Sequence, residues 1–148
     1  MCAPDHQPIQ GKQFSNKEFE TLQSTLFRPI GTRNCRHTTF PIILGVSERA
    51  YSTDELDSYI DSSNKQVTFT SLSGKEITQS RYECTQYQRQ VETRIRQLKD
   101  QKNALSRMGD DLQAKRVQTQ ISVYTREYKR ISEEIGISPK LKRLTVSK

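Results

Sequence analysis

Tryptophan is absent from this 148-residue chain, and apolar matter is scarce: hydrophobic residues make up 32% and aromatics 7%. Globular chains carry roughly 45–50% apolar residues, so a large enzyme core with a deep pocket is not expected. No apolar stretch nears the roughly 18–20 residues of a membrane helix; the longest runs from about Pro41 to Leu44. The N-terminus has no basic lead and no apolar h-region, so a secretory signal is not expected. The 6 Gly and 5 Pro are too few for a collagen-like chain or a linker. The 3 cysteines are an odd number, which argues for reduced thiols or metal ligands over a disulfide framework.

Catalytic signatures are missing as well. There is no G-x-G-x-x-G, no P-loop and no G-x-S-x-G. A Cys35–His37 nucleophile pair lacks a third group to orient it. The carboxylates from Asp54 to Asp61 read as the solvated face of a short helix. The expectation is a non-enzymatic protein.

What the chain has in plenty is positive charge, unevenly placed. Residues 1–80 hold 8 basic and 9 acidic side chains, and residues 81–148 hold 16 and 8. A basic second half suits a polyanion or an acidic protein surface, or is simply a solvated helical face.

Residues 1–12 read as loop. Ser15 and Glu18 form a capping box, with Phe14 and Phe19 as its hydrophobic staple. The helix they open carries Phe19, Leu22 and Leu26 on one face and ends before Pro29. Thr38–Leu44 reads as a short edge strand or extended segment, because Pro41 cannot donate to a ladder. Ser52 and Glu55 open a second short helix reaching about Ile60. Val67, Phe69 and Ile77 around Ser73-Gly74 suggest a small β-hairpin or an ordered loop.

Beyond Thr78 the pattern turns strongly helical. Val91, Ile95, Leu98 and Leu105 follow 4-3 spacing, with Cys84 one heptad earlier and Lys102 interrupting. After Gly109-Asp110, Val117, Ile121, Tyr124, Tyr128, Ile131 and Ile135 make an unbroken seam. Gly136 and Pro139 end it. Two long helices joined by a tight turn predict an antiparallel hairpin. Lys140 to Lys148 reads as a loose basic tail. Tyr124 and Tyr128 fall on the seam rather than among the basic groups, so base stacking is not expected, and direct nucleic-acid binding is left open but not favoured. The heptad seam leaves monomer and dimer both open.

The sequence thus predicts an α+β, mostly α fold in three parts. Residues 1–78 form a metal-stabilised module, 79–136 the hairpin and 137–148 the basic tail. The metal enters through Cys2 with His6 and Cys35 with His37. Two thiols and two imidazoles are the ligand set of a closed, tetrahedral structural zinc site. A metal would hold loops that so few apolar residues cannot. Asp5 is a candidate substitute ligand or supporting partner. Chance placement of these residues is the competing reading. Cys84 reads as a core thiol.

The stretches CAPDHQPIQGKQFS, RPIGTRNCRHTTFPIILGVSERAYSTDEL and YECTQYQRQVETRIRQLKDQK, with the Gly109-Asp110 turn, resemble the C-terminal region of phage minor capsid, or head-morphogenesis, proteins. The resemblance runs from Cys2 to about Val146. It implies paired Cys/His clusters that look metal-binding, here Cys2, His6, Cys35 and His37. It also implies partners among phage portal and capsid proteins and a place in the virion. The capsid relatives are several times longer, so the chain reads either as an excised domain of one or as a free-standing module. A small, basic, non-enzymatic phage protein of that kind is expected to act on host defence. The expected function is therefore an anti-CRISPR protein in the host bacterial cytoplasm that binds a CRISPR effector nuclease and blocks DNA loading. The alternative is a minor capsid protein. Arg89, Arg94, Arg96, Lys99, Arg126, Lys129 and Arg130 are the candidate partner-binding residues.

Overall fold

A computed structural model describes residues 3–32, 35 and 37–146. Among the described residues the chain is mostly helical with one two-stranded sheet, and it divides into two compact units, Met1–Ser63 and Asn64–Lys148.

In the first unit, helix α1 (Asn16–Thr25) starts at the expected capping box. Glu18 Oε2 accepts from the Ser15 backbone N–H at 2.8 Å, and Glu18 N–H donates to Ser15 Oγ at 3.3 Å. Phe19, Leu22 and Leu26 share one half-buried face, and α1 buries no residue fully. This unit is therefore held by turns and hydrogen bonds more than by a core. Helix α2 (Thr53–Asn64) begins at the Ser52/Glu55 box. It continues past Ile60, because Asp61 to Asn64 contains no breaker. Ser63, buried near its end, bonds back to the Tyr59 carbonyl at 2.9 Å. Thr38 to Ile43 belongs to no helix or strand among the described residues.

In the second unit, strands β1 (Gln66–Thr70) and β2 (Glu76–Ser80) pair antiparallel, Phe69 opposite Ile77. Gly74, at φ +81°, makes the turn between them. Phe69 is buried and stacks on Tyr87 with ring centroids 5.9 Å apart. Strand β2 runs directly into α3 (Arg81–Arg107), where Ser80 and Glu83 form a third capping box. Its Ser-x-x-Glu spacing is the same signal that opens the first two helices.

Helices α3 and α4 (Asp111–Glu134) form the predicted antiparallel pair. Each ends in a Schellman motif closed by a left-handed glycine, which has no Cβ to clash there. In α3 the Asp110 N–H bonds to the Leu105 carbonyl and Gly109 N–H to Ser106; in α4 Ile137 bonds to Ser132 and Gly136 to Glu133. Asp110 also caps α4, accepting from Gln113 N–H at 3.0 Å. Cys84, Val91, Ile95, Leu98, Val117, Ile121, Tyr128, Ile131 and Ile135 are all buried in one core, as the seam predicted. Lys102, which interrupts it, reaches across to Gln118 Oε1 at 2.8 Å.

Within the tail expected to be loose, the described segment 140–144 is docked. Leu141–Leu144 is a short 3-10 turn and Leu144 is only 4% exposed. Lys99 Nζ donates to the Leu144 carbonyl at 2.7 Å, and Lys140 N–H donates to Tyr128 Oη at 3.0 Å. Burying one leucine and satisfying these polar groups outweighs the repulsion among the basic side chains.

Candidate metal centre

The first ligand segment folds as a tight turn. His6 and Gln7 N–H both donate to the Ala3 carbonyl, at 2.9 and 3.1 Å, and Pro8 opens the 3-10 turn that follows. The turn leaves His6 1% exposed. Its Nε2 lies 2.6 Å from the Arg28 carbonyl. A carbonyl only accepts, so Nε2 carries the proton and Nδ1 presents a lone pair. Asp5 stands behind this contact, 3.7 Å from both His6 Nε2 and an Arg28 guanidinium nitrogen.

The second segment reaches the same point through stacked turns. Thr32 N–H donates to the Pro29 carbonyl and Cys35 N–H to the Thr32 carbonyl. They place Cys35 Sγ 3.9 Å from His6 Nδ1 and 3.4 Å from His37 Nδ1. The two Nδ1 atoms are 3.2 Å apart. Zinc bonds of about 2.05 Å to nitrogen and about 2.3 Å to sulfur give tetrahedral edges of about 3.3 Å (N–N) and about 3.6 Å (N–S). The three measured edges match that triangle within about 0.3 Å, before any ion draws the ligands in. His6, Cys35 and His37 are thus a group that could hold a metal ion. Burial, and then the neighbouring His6, lower the His37 pKa, which favours the neutral imidazole that a metal needs.

Of the four predicted ligands the structure brings together three; Cys2 lies outside the described residues. Cys84 belongs to the other unit, buried in the helical core, and burial raises its pKa. Sequence reasoning missed Arg28. Its part is played by a backbone carbonyl, which no residue type announces.

The seven predicted partner-binding residues lie on the helical pair. Arg94, Arg96, Arg126 and Lys129 are exposed. Arg89 is half-buried beside Gln86. Lys99 is bound to the Leu144 carbonyl, and Arg130 grips Glu127 at 2.7 Å, its guanidinium 5.9 Å from the Phe69 ring centroid.

Fold and site together define a small module: a turn-rich unit carrying a His/Cys/His cluster, and a helical hairpin. Residues 3–131 match the family model described as phage minor capsid protein 2, and the chain belongs to that family. No curated protein and no solved structure matches it. Among the described residues, no helix is long and apolar enough to cross a membrane.

Proposed function

We propose that this protein is a structural component of a phage head that works by binding other head proteins, without catalysis. The family match over residues 3–131 carries this reading. The exposed apolar side chains of the first unit, Phe27 (99% exposed), Phe40, Ile43 and Val46, agree with a protein partner. Mass spectrometry of purified virions tests it: the protein copurifies with heads and cross-links to their components. Its absence from complete virions overturns the reading.

In this reading the cluster is a structural zinc site, with His6, Cys35 and His37 as ligands and Cys2 as the fourth. The zinc would hold two turns that share almost no apolar core. Purified protein then carries one zinc per chain, and Cys35→Ser releases it.

The expected anti-CRISPR activity gains support from neither the family nor the structure. The structural role, first weighed as the alternative, takes its place. A guide-directed cleavage assay separates the two: an effector nuclease keeps full activity in the presence of the head protein.

A further inference from the structure

The middle of the helical pair buries two of its acids and shows more bases than acids. Between Glu83 and Asp100 the only carboxylate on α3 is Glu92; between Asp111 and Glu133 the only one on α4 is Glu127. Both are buried, at 6% and 3% exposure. Glu92 accepts from the Tyr128 hydroxyl at 3.0 Å and faces Arg143 at 3.9 Å, while Glu127 is paired with Arg130. The same two stretches carry Arg89, Arg94, Arg96 and Lys99 on α3, and Lys115, Arg116, Arg126, Lys129 and Arg130 on α4. Contacts across the pair align the stretches: Gln88 bonds to Ser132, Tyr128 to Glu92 and Lys102 to Gln118. The middle of the hairpin is therefore a belt rich in cations, with Arg94, Arg96, Lys115, Arg116, Arg126 and Lys129 exposed and Asp100 the exposed carboxylate among them.

We propose that this belt binds double-stranded DNA through its backbone phosphates, without regard to sequence. A protein partner would need a buried apolar or aromatic anchor, and the one exposed large apolar residue between Arg89 and Arg130 outside the helix tip is Val123. A single strand would need exposed aromatics on which to stack its bases. No described aromatic residue of this unit is exposed. Charge on a rigid rod remains, and that is the chemistry of phosphate contact. The 24 residues of α4 span about 36 Å, the length of about ten base pairs. The inference goes beyond the head role and is independent of it.

The test is fluorescence anisotropy with a 30-base-pair duplex of random sequence and the full-length protein, titrated at several NaCl concentrations. About five phosphate contacts give a slope of log K against log salt of about −4.5, a loss of about 500-fold between 50 and 200 mM. The double variant Arg96→Glu/Arg126→Glu binds at least about tenfold more weakly, with the slope reduced by about 2. Lys17→Glu, on α1 of the other unit, stays within about twofold, since it removes no belt contact. All three changes are on exposed positions, and circular dichroism checks that the helices persist. Absence of duplex binding at 50 mM salt, a flat salt dependence, or an unaffected double variant overturns the proposal. So does tighter binding of a matched single strand, or of poly-glutamate at equal charge; the latter reassigns the belt to an acidic protein surface.

Discussion

His6 donates its Nε2 proton to the Arg28 carbonyl across 2.6 Å, and this bond fixes which nitrogen of the ring faces Cys35 and His37. The ring is nearly fully buried, so it cannot swing to offer Nε2 instead.

The first prediction concerns that tautomer. Nitrogen NMR of the metal-free protein finds His6 protonated at Nε2, and zinc addition shifts the Nδ1 resonance alone. With cobalt in place of zinc, a thiolate charge-transfer band reports the cysteine ligands. His6→Gln lowers metal affinity at least about tenfold, the usual scale for disturbing a metal site. Metal bound through Nε2, or cobalt binding with no thiolate band, contradicts the geometry.

The docked C-terminal segment gives the second. Leu144→Ala removes a buried leucine side chain and should cost about 2–4 kcal/mol. Tyr128→Phe deprives Lys140 N–H of its acceptor and Glu92 of its donor, at about 1–3 kcal/mol. Burial raises the Tyr128 pKa, so the phenol remains a donor across the neutral range. Denaturant melts give the energies, and amide exchange shows Lys140 protected in the parent and exposed in Tyr128→Phe. If Lys140 exchanges freely in the parent protein, the segment is not docked in solution.

How far the sequence reaches depends on where the signal is written. The helical pair was legible because Val91 to Leu105 and Val117 to Ile135 repeat their apolar side chains and Gly109 breaks the run. The cysteine and histidine cluster was legible because both histidines stand close to a cysteine. The rest was written in backbone groups. The Arg28 carbonyl and the Lys140 N–H are present at almost every position of any chain, so neither contact leaves a trace in residue type. Leu144 is one apolar side chain in a basic stretch and makes no period. For Lys99 and Arg130, composition tells of the charge but not of the carbonyl and carboxylate already holding it. Arg130 at i+3 from Glu127 was the exception, since that spacing is itself a pairing signal.

The third prediction is an acid dependence at the start of α3. Hydrogen bonds from the Ser80 hydroxyl and then the Ser80 backbone lower the Glu83 pKa below the usual carboxylate value. A carboxyl with a lowered folded pKa adds stability above its unfolded pKa, and that stability is lost as pH falls through the folded value. Ser80→Ala removes the cap, at about 1 kcal/mol near neutral pH. It also returns Glu83 toward its ordinary titration, which carboxyl NMR reads directly. The penalty shrinks below pH 4.5, where protonation has already weakened the box. An equal penalty at pH 3 and pH 7 means that Glu83 takes no part.

The fourth prediction isolates the first unit. Gly11 sits at φ +70°, and a Cβ there would lie 2.8 Å from Leu56 Cδ1 and 2.9 Å from Leu56 Cδ2. Two costs therefore meet in Gly11→Ala. The left-handed backbone costs a residue with a Cβ about 1–2 kcal/mol. Pushing the terminal methyls of the half-buried α2 leucine aside adds a smaller penalty, because they are the far end of a flexible side chain. The costs separate in a double-mutant cycle. Leu56→Ala removes the clash and leaves the backbone strain, so Gly11→Ala should cost less in that background but still more than nothing. Because Gly11 lies in the loop that follows the His6 turn, zinc release from Gly11→Ala should begin at lower denaturant than in the parent. The capped helical pair of the other unit should melt unchanged. If Gly11→Ala is neutral in both backgrounds, the loop does not press on α2 and its φ is not the left-handed one.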